Sequence, residues 1–105
     1  MSVSQFGGVR GVQAAQQSVS GLVTAQRVRY RKLFVQHAGG GDEEIRFYDL
    51  GAAPEGGEPY YSFWAFGKGN FTLEMPDEGV IFQNGVYVAL PEGSYVTVTS
   101  FYEEF

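Results

Sequence analysis

From residue 22 onward the chain alternates short β-type runs with clusters of turn-forming residues. The runs are "LVTAQRVRYRKLFVQ", "EIRFYDL", "YYSFWAF", "FTLEM", "VIF", "VYVAL" and "SYVTVTSFY", rich in β-branched and aromatic side chains. Between them stand "AGGGDEE", "GAAPEGGEP", "GKGN", "MPDEG", "QNG" and "PEG", whose Gly, Pro, Asn and Asp residues suit tight turns. Seven runs at this spacing predict an all-β domain over residues 22–105. A small antiparallel β-sandwich of jelly-roll or immunoglobulin-like kind, or a small barrel, fits them.

Period-two alternation assigns faces. In "FTLEM" Phe71, Leu73 and Met75 share one face, and in "VYVAL" Val86, Val88 and Leu90 do. In the last run either Val96 and Val98 or Tyr95 and Phe101 point inward. The stretch "RVRYRKLFVQH", residues 27–37, breaks the rule. Val28 and Tyr30 share a parity with Lys32, whereas Leu33 and Val35 share one with Arg27, Arg29 and Arg31. A flat strand would bury Lys32 or expose Leu33 and Val35, so a bulge is expected near residues 31–32. Beyond it the basic side chains would stand in a row on one surface.

Residues 1–21 show neither period and are rich in Gly, Ser, Gln and Val, which predicts an extended N-terminal arm that orders on a neighbouring subunit. Within it "VQAAQQSV" has the composition for a short helical turn, but neither the length nor a cap to sustain one.

Charge sharpens this picture. The net charge of −5 conceals a division. Residues 1–40 hold Arg10, Arg27, Arg29, Arg31 and Lys32 with no acid, and residues 41–105 hold Arg46 and Lys68 against 12 acids. The two parts can face each other within one domain or between two copies, so a homo-oligomer is expected. The run "RVRYRK" also resembles a nucleic-acid-gripping strand, but a sequence pI near 4.7 runs against the usual basic footprint, and protein contact is preferred.

At 105 residues the chain suffices for one domain. With no cysteine, neither disulfides nor thiolate metal sites hold it. No apolar stretch reaches the ~18 residues of a membrane span, and the N-terminus lacks the pattern of a secretion signal. Cytoplasmic synthesis is therefore the default.

Candidate chemistry is sparse. Asp42, Glu43 and Glu44 could offer oxygens to a hard cation, yet the alternating frame of a calcium loop is missing. His37, the single histidine, has no nucleophile motif beside it, and Glu74 with Glu78 has only a sequence distance to recommend it. No enzyme and no cofactor is expected. In "PYYSFWAF" Tyr61, Phe63 and Ala65 fall on one face and Tyr60, Ser62, Trp64 and Phe66 on the other. One face is core. Trp64 is either a core residue or, with Tyr60 and Tyr61, an anchor for a protein partner or a sugar ring.

From residue 28 onward the order of features resembles small β-sandwich virion proteins of tailed bacteriophages. The similarity rests on "LFVQHAGGG", "IRFYDLGAAPEGG", an aromatic strand, "GVIFQNGVYVAL" and "YVTVTSFYE". Its marked positions are Asp49, Leu50 and Gly51, then Pro76, Gly79, Val80 and Phe82, then Gly85, Tyr87 and Val88. The resemblance implies a structural protein of the virion, made in the host cytoplasm. A capsid decoration or cement protein is favoured, with a tail or adaptor component, or a carbohydrate-binding module of a tail protein, as alternatives. Its partners would be the major capsid protein or other virion proteins, met through Arg27, Arg29, Arg31 and Lys32 and the aromatic trio.

Overall fold

The computed structural model describes residues 3–5, 12–76 and 79–105. Among the described residues ten strands run in chain order: β1 (Val3–Gln5), β2 (Gln13–Gln17), β3 (Gly21–Thr24), β4 (Val28–His37), β5 (Glu43–Tyr48), β6 (Tyr61–Ala65), β7 (Gly69–Glu74), β8 (Val80–Phe82), β9 (Val86–Ala89) and β10 (Val96–Glu104). They form two antiparallel sheets. The larger has the order β1-β2-β10-β4-β7 with β8 also on β4, and the smaller is β3-β9-β5-β6. The sheets enclose one core between them, so the expected all-β sandwich is the observed fold.

Two differences from the sequence reading have plain causes. The first long run is two strands, because the chain crosses between sheets at residues 25–27. Thr24 Oγ1 accepts the Gln26 N–H at 3.1 Å and fixes that corner. The "VQAAQQSV" segment is not a helical turn: Gln13–Gln17 is β2, with Ala14 paired to Phe101 and Ala15 to Ser100. Its backbone finds partners on β10, and Ala15 is buried, so the later part of the expected arm lies in this chain's own sheet. Residues 1, 2 and 6–11 lie outside the described residues.

The bulge is where the parity conflict places it. Along β10 the register steps from Phe101 opposite Lys32 to Tyr102 opposite Tyr30, leaving Arg31 as the extra residue. Val28 and Tyr30 before it and Leu33, Val35 and His37 after it all point inward. One inserted residue thus lets a strand with two conflicting patterns bury both. The bulge also divides the strand's other edge: β7 pairs with residues 32–37 and β8 with residues 28–30. Between them the Met75 N–H reaches the Arg31 carbonyl at 3.0 Å.

Tyr30 sits at the centre of the core, edge-on to Phe47 at 5.4 Å and tilted against Phe82 at 5.8 Å. Its hydroxyl donates to Ser100 Oγ at 2.7 Å. Burial pushes that hydroxyl well above the ordinary tyrosine pKa, the bond to Ser100 opposing only in part. On β10 the ambiguity resolves to Val96 and Val98 inward, with Tyr95 exposed. Two of the glycines marked in the sequence have structural reasons. Gly85, at φ +135°, lies where a Cβ would stand 2.6 Å from the Thr24 carbonyl oxygen. Gly79, at φ +117°, lies where one would stand 2.8 Å from that of Tyr30.

Candidate functional site

The four basic residues leave the bulged strand on its outer face, as the parity argument requires. Arg31 and Lys32 follow one another around the extra residue, and Arg27 and Arg29 precede them. All four meet partners within the chain. Arg31 Nη1 bonds Glu103 Oε1 at 3.0 Å, Arg27 and Arg29 lie over the Phe105 ring at 4.4 and 5.4 Å, and Lys32 lies 5.3 Å from the Phe101 ring. Lys32 also stands opposite Glu74 on β7. Part of the +5 and −10 division is therefore met inside one domain, strand β4 against strand β10. The surface that remains is amphipathic: cations resting on aromatic faces beside a shallow cleft of about 310 Å³ lined by Val12, Arg31, Lys32, Glu74 and Phe101.

The aromatic trio is not brought together. Tyr61 lies at the sandwich margin, 5.9 Å from Phe47 and still 38% exposed, whereas Trp64 points outward and is 52% exposed. Tyr60 lies in the bend before β6, with its hydroxyl on the Ile81 carbonyl at 3.1 Å and its ring edge-on to Phe82 at 5.0 Å. Trp64 is thus not core, the outcome that parity alone left open.

Trp64 instead lines a cleft of about 490 Å³ together with Tyr95, Glu44, Arg46 and Pro91. Tyr95 is 59% exposed and was not singled out in the sequence. It lies 31 positions from Trp64, in the turn before β10, and only the β5 framework relates the two. On the cleft wall Glu44 and Arg46 pair at 2.8 Å, and that contact holds the guanidinium above its usual pKa. Glu43 turns the other way. Its carboxylate accepts from the Ser94 hydroxyl and from the Tyr95 N–H, the latter at 3.0 Å, and so fixes the turn that presents Tyr95.

The remaining candidates are structural. Asp42 accepts the Gly67 N–H at 3.1 Å, so Asp42, Glu43 and Glu44 diverge, and no group of three metal-capable side chains occurs among the described residues. His37 Nδ1 accepts the Gly39 N–H at 3.2 Å, which leaves Nε2 to donate to the Gly41 carbonyl at 2.9 Å. Both ring nitrogens close a turn. Asp49 accepts the N–H groups of Gln83 and Asn84 at 3.2 and 2.7 Å and pins the "QNG" turn. Glu78 lies outside the described residues.

A third surface escaped the sequence reading. Strands β6 and β7 are consecutive, joined by Phe66, Gly67 and Lys68, and form the margin of both sheets on one side of the sandwich. Phe63 of β6 meets Phe71 of β7 edge-on at 6.0 Å across that margin. Phe71 is 37% and Phe66 72% exposed. An aromatic seam therefore runs between two strands whose outer backbone edges have no strand partner among the described residues.

No family model matches the chain, and no curated protein does. Among solved structures the chain is similar to the coat protein of Tobacco streak virus, at 8% identity and a TM-score of 0.40, covering 95% of this chain and 90% of that chain.

Proposed function

We propose that the chain is a non-enzymatic structural protein of a virus particle, working through contacts between subunits. In the finer form that the sequence resemblance favours, it is a capsid decoration or cement protein of a tailed phage; a tail or adaptor component is the close alternative. The observation that carries the assembly reading is the aromatic seam at the β6 and β7 margin. Strand β6 reads YSFWA with no charge and β7 reads GNFTLE with one, on a sandwich edge where proteins ordinarily place lysines, prolines or covering loops. Such an edge suits a chain whose partners are other subunits. The basic face of β4 would add orientation through its partly compensated charges. Its role as a contact for the major capsid protein belongs to this proposal.

The test is quantitative mass spectrometry of purified particles produced from the genome that encodes the chain. The expected result is a copy number in fixed ratio to the shell protein. Particles that lack the chain overturn the reading.

The cleft between Trp64 and Tyr95 favours a second reading, a carbohydrate-binding module. Two exposed aromatic rings beside the paired Glu44 and Arg46 offer stacking faces and polar groups of the sort that hold a sugar ring. Trp64→Ala separates the two. Lost glycan-array binding with unchanged particle content supports the module, and lost particle content without any glycan signal supports the structural protein.

A further inference from the structure

We propose that two copies of the chain join through β7, antiparallel about a two-fold axis at Phe71, so that the larger sheet continues from one copy into the other. This rests on the assembly reading above and names the partner of its exposed edge. Register along β7 decides the pairing. The Met75 N–H turns toward β4, to the Arg31 carbonyl, and Leu73 and Phe71 stand opposite Leu33 and Val35. Backbone direction alternates along a strand, so Phe71 and Leu73 also bond inward, while Asn70, Thr72 and Glu74 turn their N–H and C=O groups outward. Nothing in the strand obstructs that edge: GNFTLE contains no proline and no lysine, and its register against β4 is unbroken from Gly69 to Glu74.

A two-fold antiparallel pairing must set outward-bonding residues opposite one another, which requires the axis to pass through a residue rather than between two. Three axes are near the strand centre. One through Thr72 sets Lys68 opposite Pro76, which has no N–H, and Glu74 opposite Asn70. One through Asn70 sets Glu74 opposite Phe66. The axis through Phe71 sets Asn70 opposite Thr72 and Lys68 opposite Glu74, and symmetry makes each pair twice. It also places the two Phe71 rings side by side on the inner face as a closely spaced pair, next to Phe63 of each copy. Both charges near the edge then find an opposite charge, and the aromatic seam is covered by its own copy.

The test uses the full chain in sedimentation equilibrium, with particle content measured in parallel. The wild type is expected to be a dimer that weakens with salt. Thr72→Pro removes an outward N–H from an edge position and is expected to give a folded monomer, checked by circular dichroism. Lys68→Glu and Glu74→Lys should each raise the dimer dissociation constant about tenfold, through two like-charge pairs, and the double swap should restore it. Glu74 also faces Lys32, so the unfolding midpoint of each variant is recorded to separate folding from pairing. A monomeric wild type, or a dimer indifferent to Thr72→Pro, overturns the proposal. Single reversals that weaken the dimer without rescue by the double swap overturn the Phe71 register. A monomer still present in particles would leave the assembly role standing without self-pairing, and a dimer absent from particles would do the reverse.

Discussion

Deleting Arg31 should leave the domain folded, because Arg31 is the residue in excess. Without it Tyr30 is followed directly by Lys32, the register against β10 runs without a step, and Val28, Tyr30, Leu33 and Val35, exposed by 0%, 1%, 0% and 0%, keep alternate inward positions. Turning either half of the strand over would cost about 4 kcal/mol in lost burial, and turning the first half would also strand the Ser100 hydroxyl, whose partner is Tyr30 at 2.7 Å; the deletion avoids both. It loses the Glu103 ion pair, in which the side chains are 37% and 33% exposed, worth no more than about 1 kcal/mol, and the carbonyl that accepts the Met75 N–H at 3.0 Å, worth about 1 kcal/mol more. Arg31→Ala retains the bulge and loses only the ion pair. The deletion should therefore fall about 1–2 kcal/mol below Arg31→Ala, well short of the whole stability of a domain of this size. Urea unfolding followed by far-ultraviolet circular dichroism compares the two. A deletion variant that is unfolded, or that lies about 4 kcal/mol or more below Arg31→Ala, would refute the claim that Arg31 is an insertion between two halves already in phase.

Tyr30→Phe should destabilise by about 1–2 kcal/mol by leaving Ser100 Oγ without its donor. Because burial raises the Tyr30 pKa, the unfolded chain releases that proton first as pH climbs past about 10, so stability is full below that value and falls above it. Burial, helped by the Glu104 charge, acts on Tyr102 in the same direction. Unfolding curves between pH 9 and 11 should therefore drop more steeply for the wild type than for Tyr30→Phe, and equal slopes would contradict the assignment. Gly85→Ala should cost about 3 kcal/mol or more, since its Cβ would press on the carbonyls of Thr24 and Leu50 at a φ of +135°; thermal melts read this directly. Glu43→Gln should release the turn carrying Tyr95, seen as faster amide exchange at Tyr95 with the β4 amides unchanged.

Parity made a good part of this fold legible. The conflict between Val28 and Tyr30 on one side and Leu33 and Val35 on the other located the bulge, because a core admits one solution to such a pattern. The same logic set Tyr61, Phe63 and Ala65 apart from Trp64 without saying which set faces the core; the fold buries Ala65 and leaves Trp64 outside. Strand β2 was opaque because QAAQQ buries only Ala15 and carries no apolar period, its pairing being imposed by β10. The candidate surfaces depended on register, which sequence spacing does not encode. Glu103 is one of 12 acids in the sequence, and nothing in its spacing marks it as the neighbour of Arg31 in the same sheet. The meeting of Trp64 with Tyr95, and the joint margin of β6 and β7, exist only once the strand order is known.

The position of β10 carries a consequence for the order of events in folding. Among the described residues it is the last strand along the chain, yet it lies between β2 and β4 in the larger sheet. Until residues 96–104 have been synthesised, β2 and β4 have no common neighbour, and the groove that Val96, Val98 and Tyr102 fill stays wet. The nascent chain can build the local β5 and β6 hairpin early, but closing the barrier to its native state waits for the final insertion, a step dominated by contacts between distant residues. Ribosome-stalled chains ending before Val96 should accordingly remain protease-sensitive throughout the larger sheet, while chains in which Val96–Glu104 has left the ribosome gain protection of β2 and β4 together.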